Sequence, residues 1–305
     1  MIEPLVVPSR LRESTDVGGP ESEDWLRRLP RVIDDLCGRW GLTLGAPFEP
    51  GGNCSWVAPG TDVQGREIVL KVAWMHPEGL HEAEGLAAMA GIGAVELYDH
   101  QHVDDQTVAM LLESCRPGTV LRELPEPEQD VVIAEFLPQI WTTPLPDGHP
   151  FRPLSDMGDY WADRSEELLA DQPERVDAGI AREGFAAFRE LARTGPSPVL
   201  LWTDLHASNV LAGTRHPWQM IDPKPYVGDP HYDVLQHLTN CADRLMADPY
   251  GLIARIADLT DLDADRIADW MRARSVVEAA AATSPWQDFA GFWSALSGGA
   301  LLSGR

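Results

Sequence analysis

The chain has 305 residues, 44% of them hydrophobic, with a formal net charge of −24. That length supports one large or two modest domains with a proper core, and a surface this acidic repels phosphate backbones and anionic lipid heads, which argues against nucleic acid or a membrane as partner. The start, MIEPLVVPSRLRESTD, lacks a basic head with an apolar run, and no stretch of about 18 apolar residues occurs, so neither secretion nor membrane spanning is expected.

The four cysteines, Cys37, Cys54, Cys115 and Cys241, form no C-x-x-C pair. They suit a reduced cytoplasm and offer no zinc framework. The negative charge would steer a cationic substrate, although it serves solubility equally well. Among 24 basic residues only Lys71 and Lys224 are lysines. Their locations therefore matter.

In chain order, Trp25, Leu26, Leu29, Ile33, Leu36 and Trp40 recur at helical spacing and predict a helical N-terminal extension over Glu23 to Trp40. From Leu42 to Trp74 the period changes to short β-type runs (LTLGAPFE, CSWVAP, EIVLKVAW) separated by Gly, Pro, Asn and Asp, which predicts a three-stranded antiparallel meander. A helix is expected from about Glu78 to Ala90. Strands around AVELYDH and TVAMLLE would complete a five-stranded sheet with one helix. The break at Arg116-Pro117-Gly118 sets the boundary between an N-terminal lobe, 1–113, and a C-terminal lobe, 114–305. Helices are expected at Glu126 to Trp141, Leu154 to Leu169 and Arg175 to Arg193, with a Pro- and Gly-rich loop at Thr143 to Pro153. Short strands and loops follow in PVLLWTDLHASNVLAGTRHPWQMIDPKPYVGDP. Helices broken near Pro249, Leu262 and Pro285 make up the remainder.

Phosphoryl transfer needs a grip on nucleotide phosphates, ligands for magnesium and a carboxylate near the attacking hydroxyl. Asp204 is followed five residues later by Asn209 inside an apolar frame, the spacing of a kinase catalytic loop: Asp204 would act as base and the Asn209 amide oxygen would bind metal. By itself this pair also describes an ordinary turn. Asp222, closing Met220-Ile221-Asp222, stands where a second metal-binding acid is expected, with Asp222-Pro223-Lys224 in place of Asp-Phe-Gly. Lys71 lies at the centre of the apolar strand Ile68 to Ala73, where a charge needs a partner. Glu82 and Glu84 are the options; Glu82 is favoured because Leu86 and Met89 then face the core. The alternative is a lysine reaching to solvent from an edge strand.

Gly51, Gly52 and Ser55, in Pro50-Gly51-Gly52-Asn53-Cys54-Ser55, lie between the first two predicted strands, where backbone N–H groups can cover ATP phosphates. A Gly-Gly turn is also a plain hairpin. Neither a G-x-x-x-x-G-K-[ST] nor a G-x-G-x-x-G motif is present, which removes the P-loop and dinucleotide folds.

Gly-rich turn, strand lysine, helix glutamate, D-x-x-x-x-N and strand aspartate occur in the order that one fold demands. The chain resembles the aminoglycoside phosphotransferase group of the protein-kinase-like superfamily. LWTDLHASNVLAGTRHPWQMIDPKPYVGDPHYDV is similar to the streptomycin 6-phosphotransferase and hydroxyurea phosphotransferase branch. The resemblance runs from about Phe48 into the C-terminal helices and is densest over Leu200 to Asp233.

It implies an α+β, bilobal, protein-kinase-like fold, with a five-stranded antiparallel N-lobe sheet plus a helix and a mainly helical C-lobe. It also implies ATP and Mg2+, and a small, cationic or polyhydroxylated acceptor such as streptomycin. Glu113 to Cys115 fall at the hinge, where backbone groups would read adenine. Asp229 and Asp233 would be structural, capping the helix that begins near His231. Trp202-Thr203 replaces the branch's His-Gly or His-Thr at a scaffold position, so activity is expected to survive. His206 reads first as a loop-packing residue. Three other readings stay open: a kinase of another aminocyclitol, amino sugar or metabolite; a non-catalytic nucleotide-binding pseudokinase; and a metal hydrolase using Asp204, His206 and Asp222, for which further histidine ligands at suitable spacing are lacking.

Overall fold

Alternation along the central strands builds the first half of the molecule. The computed structural model describes residues 5–18 and 20–281, and the chain divides into two compact units, Met1–Thr119 with Leu211–Lys224, and Val120–Val210 with Pro225–Arg305.

In the first unit, β1 (Thr43–Leu44), β2 (Ser55–Thr61), β3 (Glu67–Trp74), β4 (Leu97–Asp104) and β5 (Thr107–Glu113) form one antiparallel sheet in the order β1-β2-β3-β5-β4. Successive side chains of a strand point to opposite faces. Ile68, Leu70 and Val72 of β3, with Ala109 and Leu111 of β5 and Trp56 and Ala58 of β2, therefore share one face. They join a buried cluster with Leu11, Trp25, Leu29, Ile33 and Leu36. The last five come from α1 (Ser9–Gly18) and α2 (Pro20–Trp40), so the N-terminal extension is a pair of helices laid on the sheet. Full burial of each such large side chain contributes about 1.5–3 kcal/mol. Lys71 sits on the opposite face, between the positions that fill this cluster.

α3 is shorter than the sequence suggests: a 3-10 turn at Pro77–Gly79 precedes it and the helix spans Glu82–Ala88 only. The reason is His81, whose φ of 67° is left-handed and breaks the helical path just before Glu82. Glu82 consequently opens the helix. β8 (Val210–Ala212) pairs with β9 (Trp218–Met220), and Met220 bridges to Ala94.

The second unit is mainly helical. α4 (Glu126–Trp141) matches its expected bounds, α5 (Leu154–Asp171) runs slightly longer, and α6 (Ala178–Leu191) starts later than expected because Asp177 caps it, accepting from the N–H groups of Gly179 and Ile180. A small sheet orders β6 (Arg152–Pro153), β10 (Tyr226–Gly228) and β7 (Val199–Leu201). The chain continues through α7 (Pro230–Asp233), α8 (Leu235–Asn240), α9 (Ala242–Ala247), α10 (Pro249–Thr260) and α11 (Ala264–Ala281). α11 packs on α6 closely enough that a Cβ on Gly184 would stand 2.5 Å from Val276. Phe188, Tyr232 and Trp270 form an aromatic core with centroids 5.0 to 6.2 Å apart. The breaks at Pro249 and Leu262 are present, whereas the one at Pro285, with Trp286 and Trp293, lies outside the described residues. Among the described residues no helix is long and apolar enough to cross a membrane.

Candidate active site

In the first unit, β3 delivers Lys71 and α3 delivers Glu82, and the segment after β9 brings Asp222 to the same point. Lys71 Nζ donates to Glu82 Oε1 at 2.6 Å and to Asp222 Oδ1 at 2.5 Å. Lys71 and Glu82 are buried, while the Asp222 side chain is 39% exposed. The choice of Glu82 over Glu84 agrees with this geometry. The direct Lys71–Asp222 contact has no counterpart in the sequence reading, because 151 residues separate the two. Two carboxylates share one ammonium here. Burial pushes the Glu82 carboxyl up to about 7 against the pull of Lys71, and Asp222 and Glu82 outweigh burial to hold Lys71 charged.

Gly51 has φ +80°, and a Cβ there would meet Pro8 Cβ at 2.5 Å, so glycine is required by both backbone conformation and contact. The N-terminal segment covers this turn: Arg10 N–H donates to Pro50 O, and the Ser9 N–H and hydroxyl donate to Glu49 Oε2. Gly52 lies against Ser55, whose Oγ would be 3.0 Å from its Cβ. Nothing in the local sequence signals this cover.

Glu113 closes β5. Its N–H donates to Glu96 O, and its carboxylate accepts from Arg215 and Gln219 at 2.8 and 2.7 Å. These donors hold the carboxyl below its usual value against the opposing effect of burial. Cys115 is half-buried, and burial pushes its thiol up to about 11.

In the second unit, Asp204 and Asn209 share a loop that ends in a 3-10 turn, Ala207–Asn209. Asp204 is 9% exposed. Asn209 Nδ2 donates to Asp204 O at 3.0 Å, which turns the amide oxygen, the atom that binds hard cations, the other way. That amide oxygen, and in the first unit the partly exposed carboxylate of Asp222, are each the kind of hard oxygen donor that magnesium takes.

The loop is held from below by Asp233. Thr203 has φ +55°, an uncommon conformation for a β-branched residue. Asp233 accepts from Thr203 N at 2.6 Å, Trp202 N at 3.1 Å and Trp141 Nε1 at 3.0 Å. Such strain persists only where the surroundings over-determine it. Burial pushes the Asp233 carboxyl up to about 6, and these three donors oppose that rise. The expectation that Asp233 caps a helix is corrected: it is the last residue of α7 and anchors the loop. Asp229 does cap α7, accepting from His231 N, and is also bound by Arg266 and Trp270.

Trp202 is completely buried, and its indole N–H makes no hydrogen bond. His206 caps the 3-10 turn, its Nδ1 accepting from Ser208 N at 3.3 Å, while its Nε2 lies 3.8 Å from Asp204 Oδ1. Asp130, His237 and Cys241 also group together. Asp130 is bound by Arg244, Arg255 and His237, which marks an ion network, not a metal site.

The profile of the aminoglycoside/hydroxyurea antibiotic resistance kinases matches residues 40–285. Streptomycin 6-kinase of Streptomyces griseus is 31% identical over 276 residues, 88% of each chain. Hydroxyurea phosphotransferase of Kitasatospora aureofaciens is 33% identical, over 77% of this chain and 68% of its own. A thermostable mutant of aminoglycoside phosphotransferase APH(4)-Ia, solved with ADP and hygromycin B, superposes with a TM-score of 0.58 at 17% identity, covering 88% of this chain and 98% of its own. The last likeness establishes the kinase-like fold.

Proposed function

Because the chain belongs to the aminoglycoside/hydroxyurea antibiotic resistance kinases, we propose that it moves the γ-phosphate of ATP to a hydroxyl of a streptomycin-type aminoglycoside, with Asp204 as base. Two arrangements, one within each unit, support this reading: the Lys71–Glu82–Asp222 contact and the Asp204–Asn209 loop anchored by Asp233.

Lys71, oriented by Glu82, neutralises charge on the nucleotide phosphates. The Gly51-Gly52 turn and Ser55 supply donors along those phosphates. The Glu113 N–H is spent on Glu96 O, which leaves the other backbone groups of the Glu113 to Cys115 hinge to read adenine. Asn209 and Asp222 are the residues that would hold Mg2+, which would supply charge neutralisation on the nucleotide phosphates. Asp204 accepts a hydrogen bond from the acceptor hydroxyl and aligns it. As the new O–P bond forms and the bond between Pγ and the ADP oxygen breaks, the hydroxyl proton passes to the Asp204 carboxylate. Positioning and charge neutralisation supply most of the rate. The net charge of −24 favours approach of a cationic acceptor.

The test incubates the protein and Mg-ATP with streptomycin, other aminoglycosides and hydroxyurea, and reads added phosphate by mass spectrometry. Phosphorylated streptomycin is expected. Product with another compound and none with streptomycin overturns the acceptor. Asp204→Ala is expected to lower kcat by about 10² or more, and turnover within tenfold of wild type would remove Asp204 as base.

A further inference from the structure

His206 stands on the same loop as Asp204, and its two ring nitrogens do different things. Nδ1 accepts the backbone N–H of Ser208 at 3.3 Å, so the lone pair lies on Nδ1. A neutral imidazole that accepts at one nitrogen carries its hydrogen on the other. The Ser208 cap therefore fixes the tautomer with hydrogen on Nε2. Nε2 is the atom that lies 3.8 Å from Asp204 Oδ1. This is within the reach of an ion pair and longer than a hydrogen bond, and catalytic hydrogen bonds commonly tighten when substrate arrives. The His206 and Asp204 side chains are 16% and 12% exposed, which limits competition from solvent.

The backbone limits how far either group can drift. Asn209 N–H donates to His206 O at 2.8 Å and Asn209 Nδ2 donates to Asp204 O at 3.0 Å. One short loop thus fixes the main chain at both residues. Within the helical unit, Arg274 is a charged side chain whose field reaches Asp204. It is occupied by Glu278 Oε1 at 3.1 Å and Gln236 Oε1 at 2.5 Å, and donates to the Tyr232 hydroxyl at 3.4 Å.

We propose that His206 is a positioning residue for phosphoryl transfer: its Nε2–H, with the tautomer set by the Ser208 N–H, holds the Asp204 carboxylate in the rotamer that receives the acceptor's proton. The proposal rests on the assignment of Asp204 as base. A purely structural role would reside in Nδ1, which caps the turn, and the positioning role resides in Nε2.

Two amides separate the roles. Asparagine places an oxygen where Nδ1 lies, two bonds from Cβ, and is a good cap for Ser208 N–H, but it has nothing at Nε2. Glutamine places an N–H donor at the Nε2 distance, three bonds from Cβ, and loses the cap. Melting temperature, kcat and the KM values for ATP and acceptor are measured for wild type, His206→Asn, His206→Gln and Asp204→Ala with the acceptor that the wild type phosphorylates.

His206→Asn is expected to melt like wild type and to keep both KM values while kcat falls about tenfold, the worth of one well-placed hydrogen bond. His206→Gln is expected to keep kcat within about threefold. Inactive Asp204→Ala beside fully active His206→Asn overturns the proposal, as does loss of kcat in His206→Gln alone. Asp204→Ala within tenfold of wild type removes the base assignment, and the proposal falls with it.

Discussion

At Lys71 one ammonium answers two carboxylates, and the charge count decides what the residue does. Glu82 is buried with its carboxyl raised to about 7, whereas Asp222 remains partly exposed. Removing Lys71 leaves two neighbouring acids without the ammonium that bridges them. Lys71→Met is therefore expected to lower kcat/KM for ATP by about 10² or more, on the scale of losing one aimed electrostatic group. Lys71→Arg is not expected to rescue it, because a planar guanidinium does not replace a compact ammonium. Steady-state kinetics at saturating acceptor check both, and a Lys71→Met enzyme within tenfold of wild type would show that the phosphates are gripped elsewhere. The Lys71–Glu82 pair was legible in the sequence: a charge in the middle of EIVLKVAW demands a partner, and the next helix offers two. Contact with Asp222 was not, because it depends on a chain return 151 residues later.

Among the elements, the helices of the second unit are tied by one completely buried carboxylate. Asp130 on α4 accepts from His237 on α8 at 2.9 Å, Arg244 on α9 at 2.9 Å and Arg255 on α10 at 2.7 Å. Burial raises the Asp130 carboxyl, but these hydrogen bonds outweigh it and hold the group far below the ordinary carboxylate range. A folded value below the unfolded one gives stability that is complete above the unfolded pKa, about 3.9, and is lost as pH falls further toward the folded value. Asp130→Asn is expected to destabilise by about 3–5 kcal/mol near pH 7. In urea unfolding the gap between wild type and variant should narrow by about 1 kcal/mol between pH 5 and pH 3. A gap unchanged over that range would place the stabilisation in packing. Helix bounds in this unit were readable because apolar spacing and turn residues are local. The network was not, since Asp130, Arg244 and Arg255 look like solvated charges until the helices bring them together.

For the whole molecule, a ligand that binds only the folded chain stabilises it by mass action, by about 2.7 kcal/mol at 100 times its Kd. Mg-ATP is expected to raise the melting temperature by several degrees, at about 2–4 °C per kcal/mol for a chain of this class. ATP with excess EDTA should give a smaller shift. Equal shifts with and without Mg2+ would count against Asn209 and Asp222 as metal ligands, and no shift at all would count against nucleotide binding. The N-terminal extension also belongs to this scale. Its helical periodicity was visible, but its position across the sheet and over the Gly51 turn follows from Leu11, Trp25 and Leu29 entering the same cluster as Leu70 and Val72.

By itself the sequence determined the order of the elements, the kinase-like class and the pairing of Lys71 with Glu82. Periodicity, turn chemistry and motif spacing are local properties that survive in one dimension. Tertiary structure alone decided which groups share a proton, a charge or a backbone donor. Asp233 read as a helix cap because Asp beside a helix start is a common cap, and the fold instead turns it toward the N–H groups of Trp202 and Thr203. His206 read as loop packing, and only its distances to Ser208 and Asp204 give its two nitrogens separate partners. Such assignments depend on separations of a few ångströms between residues whose spacing along the chain carries no sign of the contact.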